Sequence, residues 1–377
     1  MTGQVTSQKK NCNSLFLAPA RWRTGQKLRS AAIDCGLEVS DPFAGVIGVQ
    51  VPEGSESELS AAFSMQLLPV EREETRCRIA SGKVTPTHAE LMHTQLLSQW
   101  MSAIDGLWLS ELLRDRCLLT YFQPIVHLNQ PGEVFAYECL LRANDNGTLV
   151  FPDRLYGAAR ATGQMVALDE MARLTAIESS AKSFVTSNVF INFCPRSVDD
   201  PMRFLHDAVR MAGKCQIPTH RLVFEVVESD EIVDPTKLVE LLGEFRSAGF
   251  RVALDDLGAG YSSLNLLTRI KPDFVKLDMD LIRNVDTDYY KSRVAAKLLE
   301  LARELQVATV VEGVETEAEM NWSREHGADF GQGYLFARPA AVPPKSSFAR
   351  PLASRPAPYE LQEASLVGAE VPRMLPT

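Results

Sequence analysis

The sequence of 377 residues has no uninterrupted apolar run of about 18 residues, roughly the length that a membrane-spanning helix needs. We therefore predict no membrane span. The seven cysteines are scattered and odd in number, and no pair has CxxC spacing, so the sequence indicates neither a zinc site nor a disulfide framework. Reduced thiols are the usual state in the cytosol, and we expect a cytoplasmic protein.

Positive charge is scarce as well. The chain has 39 Lys and Arg residues against 48 Asp and Glu residues, which gives a net charge of -9. Binding to nucleic-acid polymers needs clustered basic side chains, so we predict no such partner. An acidic protein can still bind an anionic phosphate when metal ions supply the positive charge.

The two ends of the chain carry no chemical motif. Residues 1–86 open with polar and basic positions that we expect to be partly disordered, and continue with short β-like runs, of which 45–51 is the clearest. We expect a small α/β or helical region of unknown role here. At the other end, residues 345–377 are rich in proline and are predicted to be disordered.

Residues 87–117 are predicted to form a connecting helix. Thr87 and Glu90 have the spacing of a capping box, in which each side chain satisfies a free backbone amide. Apolar side chains then recur at helical spacing and form one stripe. The stripe either packs against the next domain, which we favour, or transmits a signal or pairs with a second subunit. Its members are Leu97, Trp100, Met101, Ile104, Trp108 and Leu112.

Between residues 118 and 344, short apolar runs alternate with helical segments. About eight strands alternating with helices over this length predict an α/β fold, a (β/α)8 barrel of the TIM type. An open doubly wound sheet is the alternative, but no GxGxxG turn follows the first strand. The runs are 118–125, 134–141, 189–193, 222–227, 251–255, 274–277, 307–311 and a short one near 331–336.

Polar side chains recur in these runs near their carboxyl ends, where barrel enzymes hold their active sites. Each one taken singly is more often structural than functional, but stability alone does not explain so many together. The set comprises Gln123, Glu138, Arg142, Asn192, Glu225, Glu228, Asp255, Asp256, Lys276, Glu312, Glu315 and Gln332.

Five carboxylates of this set would share one barrel mouth, and buried negative charge at that density needs cations. Carboxylates together with the amide of Asn192, and no His or Cys, favour Mg2+ or Mn2+ over zinc. Asp255 could bridge two ions, with Asp256 on one of them. Two ions would activate a water for in-line displacement at a phosphate. Lys276 would orient that water or neutralise charge, and Arg142 could grip a phosphate through its bidentate fork.

Several segments in this order and spacing resemble one known family, the EAL domain. Its members are bacterial phosphodiesterases that hydrolyse cyclic di-GMP to linear pGpG. The resemblance covers about residues 118–344 and implies a modified (β/α)8 barrel whose first strand runs antiparallel to the others. The matching segments are YFQPI at 121, ECLLR at 138, FINF at 190, FEVVES at 224, DDLGAGYSSL at 255, PDFVKLD at 272, VVEGVET at 310 and GQGYLFARP at 331.

The resemblance also implies roles for individual residues. Catalysis would rest on Lys276 together with Glu138 and Glu312. Substrate contacts would come from Gln123, Leu140 and Arg142. Glu228 would anchor the loop after the paired aspartates, Gln332 would support the activated water, and Glu315 would act from behind the ligands. Two Mg2+ or Mn2+ ions would be held by Glu138, Asn192, Glu225, Asp255, Asp256 and Glu312.

Three positions depart from the family pattern. Cys139 replaces the usual alanine and should point toward the helices, since strand neighbours face opposite ways; redox sensing is the alternative role. Leu257 and Ala259 replace a phenylalanine and a threonine in the loop that, in the family, couples metal binding to dimer contacts. Because the family's loop makes dimer contacts, the resemblance also implies a homodimer through the barrel. The alternative to an active enzyme is a catalytically weak or inactive receptor of cyclic di-GMP, or a protein-interaction module.

Overall fold

The computed structural model describes residues 12–82, 84, 94–194, 201–227, 235–258 and 263–348. These residues form a small N-terminal α/β domain, a connecting helix and a barrel. The N-terminal domain has a five-stranded antiparallel sheet in the order β2-β3-β1-β4-β5, with helices packed against it. Its elements are β1 (Cys12–Ala18), α1 (Trp22–Asp34), β2 (Glu38–Phe43), β3 (Val46–Pro52), α2 (Glu56–Gln66), α3 (Pro69–Glu74), β4 (Arg76–Ser81) and β5 (Gln95–Leu96).

The prediction of a partly disordered N-terminal region is wrong for the residues that the structure describes. The strand β1 lies in the middle of the sheet, and its Leu15 and Leu17 are buried against Leu28 of α1. Of the basic residues that suggested disorder, Arg23, Lys27 and Arg29 lie on α1 and are not among its buried residues. One of them, Lys27, pairs with Glu71 of α3 at 2.7 Å. The region is an amphipathic α/β domain because its apolar positions alternate with the charged ones.

The connecting helix α4 spans Leu97–Arg114 and therefore begins about ten residues later than predicted. The proposed capping box at Thr87 and Glu90 lies outside the described residues. The stripe packs against the next domain, as predicted, only in its second half, and the helix bridges two cores. Its first turns, with Trp100 and Met101, lie in the N-terminal core, whereas Trp108 and Leu112 lie in a second core shared with the barrel.

The barrel is closed, which confirms the predicted fold class and excludes the open sheet. Within the described residues, eight strands follow one another around it, and a short strand extends one edge. The strands of the barrel are β6 (Leu118–His127), β7 (Gln130–Asp145), β9 (Asn188–Phe193), β10 (Leu222–Val227), β11 (Arg251–Leu257), β12 (Phe274–Leu277), β13 (Ala308–Val311) and β14 (Phe330–Gln332), with β8 (Thr148–Val150) as the extension.

The first barrel strand is reversed, as the resemblance implied. The strand β6 pairs antiparallel with both β7 and β14, whereas the strands from β7 through β14 pair parallel with one another around the barrel. A tight β6–β7 hairpin needs no crossover helix, so the first two strands can run in opposite directions. The amino-terminal end of β6 therefore faces the same mouth as the carboxyl ends of the other seven strands.

Helices surround this barrel and begin where local signals predict. The helices α7 and α8 start at Pro201 and Pro235, and α12 starts with a reciprocal capping box between Thr316 and Glu319. Among the described helices, none has the length and hydrophobicity to cross a membrane. The helices are α5 (Pro152–Thr162), α6 (Met165–Lys182), α7 (Pro201–Lys214), α8 (Pro235–Ser247), α9 (Ser263–Ile270), α10 (Met279–Ile282), α11 (Tyr289–Glu304) and α12 (Glu317–Glu325).

The chain after the barrel stays attached to it for longer than predicted. The backbone of Ala340 exchanges two hydrogen bonds with that of Phe122, at 2.8 and 3.1 Å. Tyr137 donates its hydroxyl to the carbonyl of Pro344 at 3.0 Å, and Phe348 lies 6.0 Å from the ring of Phe336. The predicted disorder is therefore wrong for residues 345–348, and residues 349–377 lie outside the described residues.

The core between the barrel and its outer helices depends on a cluster of phenylalanines around Phe245, which is fully buried. We expect Phe245→Ala to lower the free energy of unfolding of the barrel by about 3–5 kcal/mol, because it removes an aromatic ring and leaves a cavity. Urea unfolding followed by circular dichroism measures this loss. Phe184, which is 89% exposed, provides the control, and an equal loss in Phe184→Ala would contradict the assignment.

Candidate active site

The side chain of Lys276 lies at the centre of four carboxylates at the barrel mouth. Its Nζ is 2.7 Å from Glu312, 2.9 Å from Glu225, 3.1 Å from Asp255 and 3.4 Å from Glu138. Lys276 comes from β12 and is 1% exposed. The carboxylates come from four other strands or strand ends, so only closure of the barrel brings the five groups together.

Three amide side chains extend the cluster around Glu138. The Nδ2 of Asn192 donates to Glu138 Oε1 at 3.0 Å, and the Nε2 of Gln332 donates to Glu138 Oε2 at 2.6 Å. The same Gln332 amide lies 3.1 Å from Gln123 Oε1. Strands β6, β7, β9 and β14 are thereby joined across the mouth by one continuous network, and the orientation of the Glu138 carboxylate is set from both sides.

The paired aspartates face the site together because β11 is irregular at this point. Neighbours in a regular strand point to opposite faces, so Asp255 and Asp256 would normally be separated. Here three steps along β11, from Leu254 to Leu257, oppose only two along β12, and Asp256 has a φ of +58°. Such a bulge redirects a side chain at a moderate conformational cost. Oxygen atoms of Asp255, Asp256 and Glu312 consequently lie within 4.8 Å of one another.

The turn after this bulge requires glycine. Gly258 has a φ of +107°, and a Cβ built there would lie 2.3 Å from Cδ1 of Leu281. An L side chain would be strained at that φ and would have to displace the Leu281 side chain. Leu257, which departs from the family pattern, is 2% exposed and belongs to the main core. Ala259 lies outside the described residues.

Burial raises the pKa values of most of these carboxyl groups, because it disfavours their charged forms. The pKa of Glu225 and that of Glu312 lie well above the ordinary glutamate value, owing to burial and despite the nearby Lys276. The pKa of Asp255 is raised for the same reason. Burial and the charge of Asp255 raise the pKa of Asp256 to about 6.

For Glu138 and Lys276, neighbouring groups outweigh burial and favour the charged form. Burial would raise the pKa of Glu138, but Lys276, Gln332 and Asn192 together outweigh it and lower that pKa. Burial would lower the pKa of Lys276, but the surrounding carboxylates raise it well above its ordinary value. Lys276 is therefore a fixed positive charge, and it is outnumbered by the acidic groups that it contacts.

The residues present fit bound divalent cations. The Oε2 of Glu225 and the Oε1 of Gln332 are buried without hydrogen-bond partners. Buried oxygen atoms are rarely left in this state, and cations would supply the missing partners. Carboxylate and amide oxygens are hard ligands of the kind that Mg2+ and Mn2+ prefer.

Arg142 lies beside this ring and is held by aromatic side chains. Its guanidinium carbon is 5.4 Å from the ring centre of Tyr121 and 5.0 Å from that of Phe151. The side chain is 9% exposed, and burial lowers its pKa. Leu140 lines a cavity of about 280 Å3 with Asn192. Sequence reasoning missed Tyr121 and Phe151, although Tyr121 stands only two residues before Gln123.

One predicted residue, Glu315, lies outside the ring. The carboxylate of Glu315 pairs with Arg283 at 2.9 Å, and its side chain is 45% exposed. The structure therefore assigns Glu315 to a surface ion pair beside α12, where its backbone amide also binds Glu319. Glu228, the predicted anchor of the loop, lies outside the described residues.

The barrel region matches a known family. The sequence profile of the EAL domain matches residues 107–339, which is more than half of the chain. The chain belongs to the EAL domain family. Among curated relatives, it is 31% identical to the cyclic di-GMP phosphodiesterase NbdA of Pseudomonas aeruginosa over 248 residues, covering 64% of this chain and 31% of that protein. It is 29% identical to the probable cyclic di-GMP phosphodiesterase PdeB of Escherichia coli, covering 64% of this chain and 46% of that protein.

Solved EAL structures share this barrel. A standalone EAL protein from Vibrio cholerae, in a cyclic di-GMP-bound form, is 32% identical, with a TM-score of 0.56 over 62% of this chain and 98% of that one. BlrP1 of Klebsiella pneumoniae, in a complex with manganese and cyclic di-GMP, is 22% identical, with a TM-score of 0.54. That alignment covers 88% of this chain and 96% of that one, so the similarity of fold extends into the N-terminal domain.

We expect the ring of carboxylates around Lys276 to bind metal ions, and its metal-free form to be destabilised by buried negative charge. Because the pKa of Asp255 is raised, its ionised form costs folding free energy at neutral pH, and this cost disappears in Asp255→Asn. We expect Asp255→Asn to raise the melting temperature in EDTA by about 2–4 °C and to lose the stabilisation that Mn2+ gives the wild type. Differential scanning calorimetry measures both. The exposed Asp280 provides the control, and equal stabilisation of Asp255→Asn by Mn2+ would refute the assigned ligand role.

Cys139 should be chemically inert. It points to the outer helices as predicted, with its Sγ 3.6 Å from Ser180 Oγ of α6. It is 6% exposed, and burial raises its pKa to about 12. We expect iodoacetamide at pH 8 to alkylate Cys117, which is more accessible, well before Cys139 in the folded protein. Peptide mapping by mass spectrometry distinguishes the two, and early modification of Cys139 would restore the redox-sensing alternative.

Proposed function

We propose that this protein is a phosphodiesterase that hydrolyses cyclic di-GMP to linear pGpG in the presence of Mg2+ or Mn2+. The observation that carries the proposal is the ring of carboxylates around Lys276. Four carboxylates lie within 3.4 Å of the Lys276 Nζ, and oxygen atoms of Asp255, Asp256 and Glu312 lie within 4.8 Å of one another. Curated relatives named as cyclic di-GMP phosphodiesterases support the choice of substrate, although the chain spans only 31% and 46% of the two described above.

Six residues would hold the ions. When bound, two divalent ions supply positive charge for a phosphate oxygen and lower the pKa of a water. The ring without ions has more acidic groups than basic ones, which disfavours the approach of a doubly anionic dinucleotide. The six are Glu138, Asn192, Glu225, Asp255, Asp256 and Glu312.

The other side chains have roles that follow from their charge and position. Lys276 keeps its proton and stabilises negative charge that develops on the phosphate. Gln332 orients Glu138 by a hydrogen bond and also donates to Gln123, and either amide can bind a water or a substrate oxygen. Arg142 presents a planar fork of donors suited to a phosphate, and Leu140 provides an apolar contact beside it.

A receptor that binds cyclic di-GMP without cleaving it is the second candidate. The departure at Leu257 favours it, because this residue directly follows the strained Asp256. A leucine fills less volume than a phenylalanine, so the bulge that directs Asp256 has different support from that in the family pattern. We also propose a cytoplasmic location and a homodimer that forms through the barrel.

Chromatography of the purified protein after incubation with cyclic di-GMP and Mn2+ tests the proposal. We expect pGpG to form with Mn2+ or Mg2+ and not with EDTA. Ca2+ should support binding without turnover, because its longer and looser coordination misplaces the reacting water. Equal rates with Ca2+ and Mg2+ would count against the mechanism.

Glu138→Gln should reduce the rate by at least about 100-fold, because a ligand charge is lost while the shape is kept. Glu133→Gln, an exposed position on the same strand β7, should leave the rate unchanged. Binding of cyclic di-GMP by calorimetry with no product would select the receptor. Neither binding nor product would refute both candidates.

A further inference from the structure

One arginine of the barrel joins the N-terminal domain to the helix that follows β8. The Nη1 of Arg154, on α5, donates to Asp105 Oδ1 of α4 at 2.8 Å, and its Nη2 donates to the carbonyl of Ser57 on α2 at 3.2 Å. Ser60 of α2 donates its hydroxyl to the same Asp105 oxygen at 3.0 Å. Three elements, one from each part of the molecule, therefore meet at this ion pair.

The same arginine also contacts a second link between the domains. Its guanidinium carbon lies 4.6 Å from the ring centre of Trp108 on α4. The indole Nε1 of Trp108 donates to Asp145 Oδ2 at 2.8 Å. Asp145 is the last residue of β7, so α4 holds the end of this strand as well as the start of α5.

Both links lead to Arg142, the arginine beside the carboxylate ring. Arg142 precedes Asp145 by three residues on β7. Its guanidinium lies against the ring of Phe151, which immediately precedes α5 and stands three residues before Arg154. The end of β7 and the residue that precedes α5 thus determine the surroundings of the Arg142 side chain. A shift of α4 relative to the barrel would move both together.

The contact at Arg154 is sheltered enough to be energetically significant. The side chains of Arg154 and Asp105 are 20% and 9% exposed, unlike the surface pair of Arg114 and Asp115, at 68% and 56%. Exposed ion pairs contribute little to stability, whereas a charge-assisted hydrogen bond between mostly buried partners contributes more. Loss of either partner would leave the other charge poorly solvated and weaken the junction.

We propose that Arg154 is a positioning residue through which the N-terminal domain controls the placement of Arg142 and hence the affinity of the barrel for its substrate. This inference rests on the proposed function in one respect, because it takes Arg142 as a substrate contact. A signal received by the N-terminal domain would act by shifting α2 and α4 at Asp105. The affinity for substrate would change while the metal ligands remain in place.

Three full-length variants test the role: Arg154→Ala, Arg154→Lys and Asp105→Asn. Arg114→Ala is the matched control, because it removes an Arg–Asp pair from the same connecting helix at an exposed site. Hydrogen exchange of the peptide spanning residues 141–155 reports on the local stability of the backbone around Arg142, and it needs no substrate. Calorimetry with cyclic di-GMP and Ca2+ gives the Kd, and turnover with Mn2+ gives KM and kcat separately.

For Arg154→Ala and Asp105→Asn we expect faster exchange in residues 141–155 and a Kd and KM raised about 5- to 20-fold, with kcat within about twofold of the wild type. Arg154→Lys should recover part of the loss, because it keeps the charge. Unchanged exchange and Kd in Arg154→Ala would overturn the inference, and so would a fall in kcat that parallels a lowered melting temperature. If the wild type binds no cyclic di-GMP, the proposed function fails, and exchange in residues 141–155 alone then decides the positioning role.

Discussion

The ammonium group of Lys276 cannot by itself balance the carboxylates that surround it, and this imbalance governs the active-site end of the barrel. Four carboxylates lie within 3.4 Å of its Nζ, and Asp256 adds a fifth at the same mouth. Without cations, the folded state bears the cost of raised carboxyl pKa values and of unpartnered buried oxygens. Such a cost persists where it serves binding, because apolar residues at these positions would make a more stable core.

The rest of the barrel fixes the positions of these charged side chains relative to one another. The closed barrel brings eight strands to one mouth, and phenylalanines pack closely between it and the outer helices. The bulge in β11 then turns Asp256 toward Asp255, and Gly258 permits the turn that follows. The site combines rigid walls with one strained segment, which is where a small change in packing would have the largest effect on the metal ligands.

The N-terminal domain is attached to this frame through one helix that shares both hydrophobic cores. Trp100 and Trp108 lie on the same stripe of α4, yet one belongs to each core. A helix packed in this way moves as a unit, since neither half can shift without opening a core. The polar contacts of Asp105 and Trp108 lie at the division between the two, next to the strand that carries Glu138 and Arg142. Contacts of α4 therefore connect the N-terminal domain to β7, one of the strands that form the mouth.

Much of this was readable in the sequence because local patterns determine it. Strand order, the barrel class, the proline starts of α7 and α8 and the box at Thr316 follow from periodicity and capping, which depend on neighbours in the chain. The sequence also determined which acidic and amide residues stand at the strand ends. The expectation of disorder was misleading for residues 12–30, because basic residues on α1 look the same in the sequence whether they face water from a helix or from a coil.

The tertiary structure decided what depends on distant partners. Only the fold shows that Lys276 contacts four carboxylates, that Glu315 turns away to Arg283 and that a register shift brings Asp256 into the mouth. The junction at Arg154 is invisible in the sequence, because its partners Ser57 and Asp105 lie 97 and 49 residues away. Sequence periodicity specifies the face on which a residue lies, whereas the group that it meets is set by how the faces pack.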